Sequence, residues 1–205
     1  LLKILIGLYV FFNSNNGVNG NQLANYVDAN VKTARKFSKK CRILMAESNN
    51  SKILQSSFYE IDILEIGGHH KGKRGKDSEN KQPTLLILST LEDNNYPQYV
   101  KLHTLPNYKG EPIEEYLKEK CLFDPTIVIN CDRDKAFFCL NKLAQLENSV
   151  VDYTKENHKL KWLNTFIGNI QSNINHLYRL VKKRDLPLFL SEQEWRINHR
   201  YSGKR

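Results

Sequence analysis

Acidic residues are scarce in this chain: 22 Asp and Glu stand against 31 Lys and Arg, a formal net charge of +9 and a pI near 9.3. Such an imbalance favours a polyanionic partner, of which nucleic acid is the commonest soluble one; a protein that is merely basic and soluble is the alternative that charge alone leaves open. A long apolar run is missing too. The opening LLKILIGLYVFF is apolar for twelve residues apart from Lys3, too short to cross a bilayer, and no small-residue cleavage site follows it. It reads as a buried helix. The four cysteines, Cys41, Cys121, Cys131 and Cys139, include no C-x-x-C pair and have no histidine cluster beside them, which argues against a zinc ribbon within these residues. They read as buried thiols of a reducing compartment. The chain starts at Leu1 rather than Met, which suggests an upstream segment, and no internal repeat is visible.

What is present is an ordinary globular composition, 40% hydrophobic and 26% charged, with length for one main core and a small extra domain. Residues 1 to about 50 read as helical, punctuated at Asn13 to Gly20 and at Asp28 to Asn30. Within them, Asn19 to Met45 has the layout of a helix-turn-helix. On its second helix Ala34, Phe37, Cys41, Leu44 and Met45 recur at helical spacing and face inward, while Lys32, Arg35, Lys36 and Lys39 can reach phosphates. An amphipathic helix on any basic protein would look similar.

From Ser57 the pattern changes to short runs rich in β-branched and aromatic residues. Strands are expected at Phe58 to Ile66, Thr84 to Thr90, Tyr99 to Thr104, Thr126 to Cys131 and Val150 to Tyr153. Helices are expected at Pro112 to Lys120, at Lys135 to Leu146, and at about Ile170 to Lys183, where Ile170, Ile174, Leu177 and Val181 form a core stripe. Gly72 to Pro83 is linker-like.

The stretch Phe58 to Gly75, FYEIDILEIGGHHKGKRG, carries the chemistry. Asp62 sits inside an apolar strand, where an ionised carboxylate is costly unless something such as a metal compensates it. A glycine pair and a cationic loop follow. That order suits a place where a divalent metal meets a phosphodiester. The element order resembles ribonuclease H-like domains, in which acids lie on the first strand, just after the fourth, and on a late helix. Asp62 and Asp132, 70 positions apart, supply the first two, on strands that are neighbours in such a sheet. Clustered oxygens hold Mg²⁺ or Mn²⁺ ions roughly 3.5 to 4 Å apart for in-line displacement at phosphorus. Asp132 alone could merely cap the helix after it. Glu60 and Asp134 read as solvated acids, and His69 and His70 as exposed.

These residues are similar to a DDE-type transposase of the group that includes ISXO-like insertion sequences and Merlin elements. Its opening I-D-E-T-Y-I-G-G and K-G-K-R-G loop resemble Ile61 to Gly68 and Lys71 to Gly75; its D-x-W-x-A-Y resembles Asp132 to Phe137. Its N-I-E-x-L-W-x-x-x-K-K resembles Asn173 to Lys183, with Asn175 at the catalytic glutamate position, which some members fill with asparagine. Helical spacing would place Tyr178 and Lys182 on the face of Asn175. The closing L-D-E-F-x-W-R-F-N-R-R is echoed by Leu190, Glu192, Trp195, Arg196, Asn198 and Arg200. The helix-turn-helix pieces are echoed by Gln22-Leu23-Ala24, Lys32-Thr33-Ala34 and Cys41-Arg42. Departures are Ile63, Glu65, Asp134, Asn175 and the missing zinc ribbon.

The resemblance implies an α/β fold: a ribonuclease H-like mixed sheet with flanking helices over residues 56–205, preceded by an all-α helix-turn-helix segment over 1–55. It implies catalysis and metal binding (Mg²⁺ or Mn²⁺) by Asp62, Asp132 and Asn175, and cleavage and strand transfer of double-stranded DNA. Lys71, Lys73, Arg74, Lys182 and Arg196 would line the DNA path. A homodimer on DNA is expected, with no membrane, cytoplasmic in a bacterium and nuclear in a eukaryote. The rival reading is a decayed DNA-binding remnant; a third is a nuclease of the same fold acting on branched DNA.

Overall fold

The computed structural model describes residues 1–67, 81–90, 96–124, 126–132, 134–148, 160–178 and 181–200. Helices α1 (Leu2–Asn13), α2 (Gly20–Val27) and α3 (Val31–Asn50) open the chain. The punctuation between them is capping chemistry. Asn19 accepts the N–H groups of Asn21 and Gln22 at 3.0 and 2.9 Å, and Gln22 Oε1 accepts the Asn19 N–H at 3.2 Å, closing a capping box. Asp28 ends α2 in the left-handed region at φ 46°, and Asn30 starts α3 by accepting the Lys32 N–H at 2.8 Å. Phe11, Leu23, Ala24, Ala34, Cys41 and Met45 form the core these helices share.

Two expectations fail here. α1 is a helix but not a buried one: Leu1, Leu2, Ile4, Leu5 and Tyr9 are more than half exposed, while Gly7 and Phe11 turn inward. A stretch apolar on every side cannot all be covered by neighbours on one side. On α3, Leu44 is exposed, and Arg42 is buried instead.

Five strands, β1 (Phe58–Gly67), β2 (Lys81–Thr90), β3 (Pro97–Thr104), β4 (Val128–Cys131) and β5 (Gln145–Asn148), form one sheet in the order β3-β2-β1-β4-β5. β1, β2 and β3 are antiparallel neighbours, and β4 and β5 extend the sheet in parallel with β1. This is the ribonuclease H-like mixed sheet. Leu85, Leu86, Ile87 and Leu88 of β2 are all fully buried, the continuous apolar run of a strand covered on both faces. Helix α4 (Gly110–Lys120) and a 3₁₀ helix (Lys135–Lys142) lay Ile113, Leu117, Phe137 and Leu140 into the same core as Ile61, Ile87 and Ile129.

The expected helix Lys135 to Leu146 is therefore corrected: it stops at Lys142, and Gln145 and Leu146 belong to β5. The expected strand at Val150 to Tyr153 lies outside the described residues. Of the linker-like Gly72 to Pro83, the last three residues open β2, and the rest lies outside the described residues. The late helix is also corrected. Helix α5 (Lys161–Ser172) passes into a π-helical turn (Asn173–Tyr178), and a 3₁₀ turn (Lys183–Asp185) leads into α6 (Leu186–His199).

The chain divides into two compact units, residues 1–51 with 170–205, and residues 52–169. A cut near residue 55 follows order along the chain. The units follow packing instead, and the division passes through α5. No helix among the described residues is long and apolar enough to cross a membrane.

Candidate active site

The parallel ladder between β1 and β4 ends at the pair Ile61 and Cys131. The next residue on each strand is an aspartate, so Asp62 and Asp132 lie side by side and, by strand alternation, on one face. Their site is the carboxyl end of β4, where open α/β sheets place their ligands. Both are half-buried and line one cleft of about 400 Å³ with Ile63, Glu65, Lys81, Tyr108 and Asp134. The buried Cys131 thiol registers their nearness. Burial pushes its pKa up to about 12, and the charges of Asp132 and Asp62 push the same way.

Each acid has a distinct local role. Asp132 accepts the Asp134 N–H at 3.0 Å, and Asp134 accepts the Ala136 N–H at 3.0 Å as the cap of the 3₁₀ helix. Capping thus falls to Asp134 rather than to Asp132. Asp134 is half-buried, not the solvated acid the sequence suggested, because it both caps that helix and lines the cleft. Glu60 is a second correction. It is buried, opposite Asn130 in the ladder, and its Oε2 accepts the Leu163 N–H at 3.2 Å. Strand alternation puts it on the aspartate face, under the start of α5. The amide oxygen of Asn130, on that same face, is buried without a hydrogen-bond partner among the described residues.

Glu65 forms an ion pair with Lys81 and accepts the Tyr108 hydroxyl proton at 2.7 Å. Neither Lys81 nor Tyr108 stands out in the sequence. The one available signal was Glu65 itself, an acid on a half-buried strand that calls for a cation across the ladder.

The donor chemistry suits a hard divalent cation: carboxylate oxygens of adjacent strands in an open cleft are the ligands Mg²⁺ and Mn²⁺ take. Among the described residues no group of three or more His, Cys, Asp and Glu could hold a metal ion. Two carboxylates on neighbouring strands are what this sheet contributes.

The other expected site residues fall as follows. Asn175 is exposed on the π-helical turn, in the first unit. Lys182 is exposed but caps the 3₁₀ turn beyond that segment, so it does not share a helix face with Asn175. The wider π-turn also shifts the helical phase, and Tyr178 is engaged, donating to Glu192 Oε1 at 2.7 Å. Arg196 is corrected outright. It is buried, bonded to Glu192 at 2.6 Å and donating to the carbonyls of Ser14 and Phe11 at 2.5 and 2.7 Å, so its guanidinium holds the fold and cannot meet DNA. Lys32, Arg35, Lys36 and Lys39 are exposed on α3. His69, His70, Lys71, Lys73 and Arg74 lie outside the described residues.

No curated protein matches the chain significantly. Two solved structures are similar to the chain at 10% identity. One is a Mos1 transposase paired-end complex with left transposon end, TM-score 0.35, covering 95% of this chain and 75% of that one. The other is a pre-cleavage Mos1 transpososome, TM-score 0.34, covering 94% and 74%. The family model for the ISXO2-like transposase domain matches residues 57–198. That span takes in the whole sheet, both aspartates and all but the end of α6, and by it the chain belongs to the ISXO2-like transposase domain family.

Proposed function

We propose that this chain is a metal-dependent DNA transposase whose reacting centre is the cleft of Asp62 and Asp132. The observation that carries the reading is the ladder register, which sets two carboxylates 70 positions apart next to each other at a strand end. They would hold Mg²⁺ or Mn²⁺, and such ions activate an attacking oxygen and stabilise a leaving one at phosphorus. In the cutting step the water oxygen bonds to phosphorus as the P–O3′ bond breaks, and the 3′ oxygen leaves as a hydroxyl. In the joining step that hydroxyl attacks a phosphodiester of target DNA and one P–O bond replaces another. The chain's own part is to fix two carboxylates on a rigid sheet. The Glu65–Lys81 ion pair and the Tyr108 hydroxyl wall the same cleft and present polar groups beside the carboxylates. Asn175 as third ligand, the α2–α3 pair as a helix-turn-helix, and a homodimer on DNA belong to the same proposal.

The test is incubation with labelled element-end DNA and Mg²⁺ or Mn²⁺, beside Asp62→Ala, Asp132→Ala and Asn175→Ala. Nicking and joining should fall in the aspartate variants by more than the ~100-fold that losing an outer partner costs a metal site. Binding without products, in wild type as in the variants, would identify a DNA-binding remnant. The uncharged amide at Asn175 favours that second reading. Cleavage without joining would identify a nuclease. An Asn175→Ala variant as active as wild type removes Asn175 from the ligand set.

A further inference from the structure

The cations of α3 fall into two stripes. Lys32, Lys36 and Lys40 follow one another at a spacing of four in one row. Arg35, Lys39 and Arg42 follow at four and three in the adjoining row, and of the α3 cations these three line a cleft of about 1010 Å³ within the first unit. Lys182 and Arg184 line the same cleft from the segment leading into α6.

The cleft is built, not merely charged. Arg42 is buried, its side chain 8% exposed, and its guanidinium lies 3.9 Å from the Phe189 ring centroid. It spends Nε on Glu192 at 2.6 Å, while its terminal amino groups have no hydrogen-bond partner among the described residues. The ring contact and the ion pair hold the guanidinium in place, and Arg42 lines the cleft, so its unbonded terminal N–H groups can serve there as a preset fork for an oxyanion. Arg35 is held as well, since its Cγ lies 2.6 Å from where a Cβ on Gly20 would be, so the arginine rests on the first turn of α2. Against five cations stands Asp185, whose Oδ2 is 3.5 Å from Arg184 Nε, and Glu192 behind Arg42.

We infer that this cleft grips a backbone phosphate of a DNA strand between α3 and the Lys182 to Arg184 segment, separately from the phosphates reached by the outer stripe of α3. The inference rests on the reading of the chain as a DNA-binding protein and is independent of whether it cuts DNA.

Two elements holding one phosphate must be energetically coupled, and that property is measurable. Duplex DNA binding would be followed by fluorescence anisotropy across salt concentrations for the full chain, Lys36→Gln, Lys39→Gln, Lys182→Gln and the pairwise doubles. Circular dichroism would check each fold. Lys39→Gln and Lys182→Gln should each weaken binding several-fold and lower the salt slope by about one. The Lys39 and Lys182 double should lose clearly less than the product of its singles, while the Lys36 and Lys182 double should lose the full product. Inorganic pyrophosphate should compete with DNA for wild type more strongly than for the Lys39 and Lys182 double. Wild-type affinity in both cleft variants, with Lys36→Gln weakened, overturns the cleft and leaves DNA binding intact. Multiplicative losses in both doubles overturn the shared grip. Wild type that binds pyrophosphate but no DNA overturns DNA as the occupant, and wild type that binds neither overturns the DNA-binding reading with it.

Discussion

Gly17 is the position where the fold of the first unit leaves no room for a side chain. Its φ of +102° is a left-handed conformation, and an added Cβ would stand 1.8 Å from the Tyr178 hydroxyl and 2.9 Å from Glu192 Oε1. Gly17→Ala should therefore destabilise by about 2 kcal/mol or more, read as a lower urea midpoint at unchanged slope. A second residue-scale effect is a titration. His103 is half-buried and stacked on Tyr116, ring centroids 4.0 Å apart, and burial pulls its pKa below the ordinary 6.5. Its folded pKa is depressed, so its contribution is present above pH 6.5 and is lost as pH falls from there through the folded value. The urea midpoint should drop between pH 7.5 and pH 5 by more in wild type than in His103→Phe, which keeps the stack without the proton; equal drops would remove His103 as the cause. At this scale the sequence was legible where chemistry was scarce. An aspartate in an apolar strand has few explanations, and Asp62 and Asp132 do meet. Arginines have many, and only tertiary packing separates Arg196, closed in by Glu192 and two carbonyls, from Lys182, open at a cleft.

At the scale of elements, the closing motif of the chain is a lock for the fold. Glu192 on α6 takes Arg42 of α3, Arg196 one turn on, and the Tyr178 hydroxyl of the π-turn, and Arg196 then reaches the end of α1. Three segments meet at one buried carboxylate, a fourth is tied to it through Arg196, and the desolvated arginines depend on it. Glu192→Ala leaves two buried cations unneutralised and should cost ~3–5 kcal/mol. Glu192→Gln keeps hydrogen bonds and should cost less; a surface-like change below 0.5 kcal/mol for the alanine variant would show that the network is not closed in solution. The spacing of Glu192 and Arg196, one helical turn apart, was visible in sequence; the partner 150 residues earlier was not. The misplaced end of the helix from Lys135 has a similarly physical origin. Phe137, Leu140, Leu143 and Leu146 recur every three residues, close enough to the α-period to suggest one long helix. That period belongs to a 3₁₀ helix, which is used in short pieces, and the chain turns into β5 before the pattern ends.

At the scale of the whole chain, the two compact units carry separate chemistry: paired carboxylates in residues 52–169, and the buried ionic lock with the cationic cleft in residues 1–51 and 170–205. If those units are also units of stability, perturbing one should leave the other's amide protection in place. A cation bound by Asp62 and Asp132 stabilises the folded sheet by RT ln(1 + [L]/Kd), ~1.4 kcal/mol at ten times Kd. Hydrogen exchange followed by mass spectrometry should then show Mn²⁺ slowing exchange across Phe58–Gly67 and Val128–Cys131 in wild type, with no slowing in Asp62→Asn or Asp132→Asn. Glu192→Gln should speed exchange across α1, α3 and α6 while β1 keeps its wild-type rate. The two readouts fail differently. Protection by Mn²⁺ that survives loss of either aspartate places the cation elsewhere and removes the metal from the proposed site. Faster exchange in β1 on Glu192→Gln would instead show that α5, which begins in one unit and ends in the other, transmits unfolding, so that the chain melts as a single cooperative body.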